Sequence, residues 1–153
     1  MIREHRYRRI VQWQDTDLAG IIHFSNYFRY MEEAQTDFLS SNGLDYRPGG
    51  ADYTFFLPRV SSSCDFKKPV TFRDEIDVYL RVVEVGESSI HYEFSFQCKG
   101  EEVALGKLSE VCVVPDGKGG FKSAELPAKL RGILFGPNGA TKQGECARSE
   151  TAS

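Results

Sequence analysis

The stretch Trp13–Glu33, WQDTDLAGIIHFSNYFRYMEE, decides how the rest of the chain is arranged. It begins with a turn that carries Asp15 and Asp17, passes through the small, flexible pair Ala19-Gly20, and reaches a lone His23. Asp suits such turns because its side chain bonds a nearby backbone N–H. An amphipathic pattern follows. Tyr27, Met31, Ala34 and Phe38 recur at helical steps, and Phe28 and Leu39 widen the apolar face. Arg29, Glu32, Glu33, Gln35 and Asp37 fill the polar side. The spacing predicts a helix over 27–41, with Ser25 or Asn26 as N-cap and Asn42-Gly43 as a left-handed stop. A carboxylate is thereby set beside a helix N-terminus, whose unpaired backbone N–H groups carry partial positive charge. Such an end can hold a developing oxyanion while the carboxylate attacks or activates water.

On either side of this stretch the pattern changes to strands. Residues 5–13 read as a strand, with Tyr7, Val11 and Trp13 on one parity and arginines at 6, 8 and 9 marking an exposed edge. Residues 55–66 read as another, with Pro58 favouring an edge or bend. Ile76, Val78, Leu80 and Val82 alternate cleanly, as do Ile90, Tyr92, Phe94, Phe96 and Cys98. Hairpins at Gly86-Glu87-Ser88 and Lys99-Gly100-Glu101 join these runs to a last long strand over 103–114. A short helix is predicted over 126–135 after Pro127, and a disordered tail over 137–153. The order gives an α+β fold, one helix against one curved antiparallel sheet, in a domain spanning 1–136. One helix cannot cover both faces of such a sheet, so a second copy is expected to bury the remainder.

Composition excludes several classes. Hydrophobic content of 41% and charged content of 27% suit a globular protein, and the net charge of -3 offers no basic face for nucleic acid. No apolar run reaches the length of a membrane span. The basic segment MIREHRYRRI lacks the apolar core of a secretory signal, so a cytoplasmic protein is expected. The cysteines 64, 98, 112 and 146 form no CxxC pair and have no His at zinc-like spacing. They read as packing residues and one tail thiol rather than metal ligands or disulfides.

The motifs WQDTDLAGIIHFSNY (Trp13–Tyr27), YMEEA from Tyr30, CDFKKPV (Cys64–Val70), RDEIDV (Arg73–Val78) and GESSI (Gly86–Ile90) carry a resemblance. Across residues 5–135 the chain resembles the hotdog-fold acyl-CoA thioesterases of the 4-hydroxybenzoyl-CoA thioesterase type. The resemblance implies one long central helix wrapped by the sheet, with the active site at an interface of a homo-oligomer, dimer or tetramer. Asp17 corresponds to the catalytic carboxylate, nucleophile or general base, and the helix N-terminus near His23 and Phe24 to the oxyanion donor. Gly20, His23, Phe24, Ser61, Ser62 and Ser63 become candidate substrate-binding residues. The implied partner is an acyl-CoA or acyl-carrier-protein thioester, with no metal, no organic cofactor, no nucleic acid and no membrane.

One departure stands out. The hairpin that carries basic residues for the coenzyme A phosphates in that branch is here Gly86-Glu87-Ser88, which is not basic. Lys67, Lys68, Lys107 and Arg131 are the basic alternatives. Asp15 reads as an organiser of the loop, while Glu32 and Glu33 offer a rival carboxylate on the helix. Two other functions fit the same frame. An enoyl-thioester hydratase or dehydratase needs a His paired with an acid, for which Asp17 and His23 are the candidates; a non-catalytic acyl-thioester binder needs neither.

Overall fold

The computed structural model describes residues 3–136; the segment 137–153, expected to be disordered, lies outside the described residues. In chain order the elements are β1 (Glu4–Ile10), a 3-10 turn (Trp13–Asp15), α1 (Ser25–Ser41), β2 (Arg59–Phe66), β3 (Glu75–Val85), β4 (Ser89–Cys98), β5 (Glu101–Val111), β6 (Val113–Pro115), β7 (Phe121–Ser123) and α2 (Ala128–Phe135). Five strands form one antiparallel sheet in the order β1-β3-β4-β5-β2. α1 lies across its inner face, as the hotdog fold requires.

The alternation read from sequence is what builds the core. Ile76, Val78, Leu80 and Val82 on β3, and Ile90, Tyr92, Phe94 and Phe96 on β4, are all buried against Tyr30, Met31, Ala34 and Phe38 of α1. Each large side chain so buried contributes about 1.5–3 kcal/mol. Gly106 leaves the space that the end of the Met31 side chain fills. A Cβ there would lie 2.4 Å from Met31 Cε and 2.8 Å from its Sδ. α1 ends as predicted: Gly43 adopts φ +90°, and the Leu44 N–H bonds the Leu39 carbonyl at 3.1 Å in a Schellman closure.

Several boundaries differ from the sequence reading. β1 ends at Ile10, and Trp13 sits in the 3-10 turn with 77% exposure rather than on the strand. The buried Asp15 side chain pulls the chain round at that point by accepting the Gln12 N–H at 2.9 Å. α1 starts at Ser25, and neither Ser25 nor Asn26 caps it; Phe24 occupies the cap position in helical geometry with no side-chain cap. The Asn26 side chain is used elsewhere, donating to the Asp15 carbonyl at 2.8 Å. The expected strand over 55–66 is ordered as β2 only from Arg59, and the last long strand breaks after Val111 into a separate β6–β7 hairpin. Gln35, assigned to the polar side, is buried and faces the sheet.

β2 is the outer strand on one side, and all of its residues except Cys64 are exposed. A bulge between Arg59 and Ser61 resets its alternation. Arg59 pairs with Glu110, Ser62 with Leu108 and Phe66 with Ala104, so these residues share the face toward α1. Ser61 and Ser63 pair with Ser109 and Lys107 on the opposite, polar face.

Candidate active site

The Asp17 turn is a tight hairpin. The Asp17 N–H donates to the Ile21 carbonyl at 2.9 Å, and the Gly20 N–H to the Asp17 carbonyl at 3.0 Å. Gly20 sits at φ +79°, where a Cβ is strained and glycine is not. One carboxylate oxygen of Asp17, Oδ1, accepts the Ala19 N–H at 2.8 Å; the other has no hydrogen-bond partner among the described residues. The turn therefore orients the carboxylate and leaves one oxygen free for a ligand.

Asp15 performs the supporting role foreseen for it. It is fully buried, and its Oδ2 lies 3.3 Å from Arg9 Nη2. Its backbone carbonyl accepts both the His23 N–H and the Asn26 side-chain N–H, each at 2.8 Å. These bonds tie the acidic turn to the start of α1. They also decide which backbone donor is available. The His23 N–H is consumed by Asp15, whereas the Phe24 N–H has no partner among the described residues. Of the two donors expected near the helix start, Phe24 is the available one.

His23 has a local task. Its Nδ1 accepts the Ser25 N–H at 3.3 Å and lies 2.8 Å from the Ser25 hydroxyl, and its ring stacks on Phe24 at 4.6 Å. With Nδ1 accepting, the neutral ring carries its proton on Nε2. No hydrogen bond joins His23 to Asp17, so the pair that a hydratase mechanism needs is not assembled within the described residues.

Asp17, Phe24, Tyr27, Phe66 and Lys67 line a cavity of about 380 Å³. A second, open hollow runs past Asp17 on the side of Trp13 and His23. Burial raises the Tyr27 hydroxyl to about 12 and the nearby Cys64 thiol to about 12, which favours the protonated form of both at neutral pH. Lys67 and Lys68 border the cavity and are paired with Glu102 and Glu101. Lys107 lies on the far face of the sheet, and Arg131 donates to the Gly86 carbonyl at the opposite hairpin. Ser62 lines a neighbouring hollow with Phe28 and Glu32, while Ser61 and Ser63 face away. Consecutive strand residues alternate faces, so the three serines cannot line one pocket within a single chain. Among the described residues no group of three or more His, Cys, Asp or Glu is placed to hold a metal ion.

The helix carboxylates separate. Glu33 receives the Tyr7 hydroxyl at 3.0 Å and pairs with Arg9 at 3.3 Å. Glu32 is exposed, two helical turns beyond the free Phe24 N–H. Sequence reasoning missed a further polar group under the helix. The Arg59 guanidinium donates to Gln35 Oε1 at 2.7 Å, and Gln35 Nε2 donates to Glu110 Oε1 at 2.7 Å. Glu110 is fully buried, and burial raises its carboxyl to about 7. The Tyr92 hydroxyl lies in the same buried group, and burial, with the neighbouring Glu110 carboxylate adding to it, raises that hydroxyl well above its ordinary value. The available signal was parity: Glu110 shares the inward face of its strand with Leu108 and Gly106.

No helix among the described residues is long and apolar enough to cross a membrane. Residues 11–134 match the model of the thioesterase-like superfamily. A 1,4-dihydroxy-2-naphthoyl-CoA hydrolase of Prochlorococcus marinus (strain MIT 9303) is 30% identical over 143 residues, which is 82% of this chain and 94% of that protein. The structure of BH1999 gentisyl-coenzyme A thioesterase superposes with TM-score 0.74 at 26% identity, over 86% of this chain and 100% of that one. A mutant 4-hydroxybenzoyl CoA thioesterase complexed with 4-hydroxybenzoyl CoA shares the fold, with TM-score 0.77 at 20% identity over 86% and 99% of the two chains. With its helix laid across a five-stranded antiparallel sheet and this family match over nearly all the described residues, the chain belongs to the thioesterase-like superfamily of hotdog proteins and is a thioester hydrolase.

Proposed function

We propose that the chain hydrolyses acyl-CoA thioesters with Asp17 as the catalytic carboxylate and the Phe24 backbone N–H as the oxyanion donor. The observation that carries this reading is their convergence: one oxygen of Asp17 and the Phe24 backbone N–H, both without a hydrogen-bond partner among the described residues, belong to residues lining the same cavity. A thioester carbonyl seated there has its oxygen against the Phe24 N–H and its carbon facing the carboxylate. As nucleophile, Asp17 adds to that carbon and the thiolate leaves; water then cleaves the resulting anhydride and restores the carboxylate. As general base, Asp17 takes a proton from water as the water adds, and the thiol leaves with a proton. In both routes the helix end stabilises the charge on the carbonyl oxygen, a contribution of about 2.7–4 kcal/mol per donor.

Lys67 and Lys68 border the same cavity and are the basic residues best situated for the coenzyme A phosphates. Gly20 forms the turn, and the Nε2–H of His23 supplies a donor on the outer side of Asp17. The exposed β2 supports a homodimer in which a second copy closes the cavity, pairing strand to strand along the open edge. The relatives named above act on hydroxylated aryl-CoA thioesters, which supports coenzyme A as the carrier here.

The test is thiol release from a panel of aryl, short, medium and long acyl-CoAs by wild type beside Asp17→Asn and Glu32→Gln. Turnover lost in Asp17→Asn and kept in Glu32→Gln supports the reading. Equal rates for wild type and Asp17→Asn overturn it, and loss in Glu32→Gln alone moves the chemistry to the helix.

A further inference from the structure

The oxyanion donor belongs to the peptide that joins His23 to Phe24, and that peptide is held on both sides. Among the described residues no peptide bond is cis, so the His23 carbonyl and the Phe24 N–H point in opposite directions. The carbonyl accepts the Asn26 backbone N–H at 2.9 Å, in the first turn of α1. The Phe24 N–H is thereby aimed back out of the helix start, where it has no partner among the described residues. One residue earlier, the His23 N–H is fixed on the Asp15 carbonyl at 2.8 Å.

Asn26 closes this arrangement. Its side-chain Nδ2 donates to the same Asp15 carbonyl at 2.8 Å. One residue therefore grips the donor peptide through its backbone and the acidic turn through its side chain, and Asp17 follows two residues after that carbonyl. Nothing local calls for asparagine there. It is the second residue of α1, where its helix propensity is poor, and its side chain does not cap the helix. It is also buried, and a buried amide is costly unless it is bonded. This one gives its donor to a carbonyl eleven residues away that already holds the His23 N–H. The bond adds nothing to the helix ladder; what it fixes is the spacing between the Asp17 turn and the Phe24 N–H.

Resting on the reading that Asp17 and the Phe24 N–H act on one thioester carbonyl, we propose that Asn26 is a positioning residue for the reaction, its amide locking the start of α1 onto the acidic turn and so keeping the Phe24 N–H aimed at the carbonyl oxygen. Asn26 lines neither hollow beside Asp17, so its effect reaches the substrate through Phe24. Without the amide donor the Asp15 carbonyl still holds the His23 N–H, which keeps turn and helix together. The His23–Phe24 peptide then loses the brace that sets its direction, and the donor swings off the line to the oxygen.

The experiment compares wild type, Asn26→Leu and Asn26→Ser on 4-hydroxybenzoyl-CoA, butanoyl-CoA and dodecanoyl-CoA, at a temperature where circular dichroism shows each variant folded. Leucine keeps the branched shape without a donor, and serine keeps a hydroxyl donor on a shorter arm. Asn26→Leu is expected to lower kcat by about 10²-fold, the range of a misplaced oxyanion donor, with KM within about threefold of wild type. Asn26→Ser is expected to fall between the two. The second readout is the carbonyl stretch of the best of these substrates, labelled with carbon-13 at its thioester carbonyl and bound to Asp17→Asn or to the Asp17→Asn, Asn26→Leu double variant. Isotope-edited infrared difference spectra should show the stretch lowered in Asp17→Asn and returned toward that of the free thioester in the double variant. Unchanged kcat in folded Asn26→Leu, a loss carried by KM alone, or a kcat loss with the carbonyl stretch unmoved overturns this inference and leaves the Asp17 reading standing. Failure of both Asn26 variants to fold also overturns it, making Asn26 a structural residue. Equal rates for wild type and Asp17→Asn, no lowering of the stretch in Asp17→Asn, or no turnover of any of the thioesters brings down the reading beneath it, and this one with it.

Discussion

Glu110→Gln should stabilise the protein, and only above a defined pH. The Glu110 carboxyl is raised from its ordinary 4.5 to about 7, first because burial disfavours its charge, with the Gln35 hydrogen bond and Arg59 opposing. Below pH 4.5 both the folded and unfolded chains hold this proton, and the group adds no pH dependence to stability. Between 4.5 and 7 the unfolded chain releases it while the folded chain keeps it, so stability falls by about 1.4 kcal/mol per pH unit and levels off above 7. The full loss is on the order of 3 kcal/mol. Glutamine resembles the protonated acid, still accepts the Gln35 N–H through its oxygen, and never ionises. The stability gap between variant and wild type should therefore be flat below pH 4.5 and widen through pH 7 in the variant's favour. Urea unfolding at fixed protomer concentration reads it as a midpoint shift of about 1–2 M at pH 8. A gap that does not change between pH 4.5 and 8, or a variant less stable at pH 8, refutes the reasoning.

Asp17→Asn should lower kcat by about 10²–10⁴-fold. Its melting temperature should barely change, because Asn still accepts the Ala19 N–H that shapes the turn; a large drop in that temperature would point to a structural role. Asp15→Ala should cost about 2–4 kcal/mol in chemical unfolding, because it strips Arg9 of a buried partner and the Gln12 N–H of its acceptor. A loss below about 0.5 kcal/mol would show that the turn holds without it. Gly20→Ala should cost about 1–2 kcal/mol from left-handed strain alone, since nothing lies within 4 Å of the new Cβ. Differential scanning calorimetry measures it, and an unchanged melting temperature would mean that the turn relaxes to another form.

The fold's outline and the position of its acidic turn were legible because both are local. Period-two alternation in 75–98 marked the core strands, helical spacing from Tyr27 to Phe38 marked the one long helix, and Asn42-Gly43 marked its end. The Asp-rich turn followed by Gly20 was equally visible. Where the reading missed, the deciding force came from residues distant in sequence. Asn26 left the capping position because the Asp15 carbonyl, eleven residues earlier, needed a donor. Gln35 left the polar face because Glu110, seventy-five residues later, lay beneath it. The three serines looked equivalent until the bulge in β2 and its register with β5 set Arg59 and Ser62 toward the helix and Ser61 and Ser63 away.

The sequence alone thus determined which segments become helix and strand, which faces are apolar, and which carboxylate stands before the helix, since backbone preference and hydrophobic period act over a few residues. Tertiary structure alone decided that Phe24 rather than His23 offers an N–H without a partner among the described residues, that Asp17 and Phe24 share a cavity, and that Arg59, Gln35 and Glu110 join beneath α1. Those outcomes depend on where buried donors and acceptors find partners once the sheet register is fixed, and a polar group removed from water must take the partner that the fold brings to it.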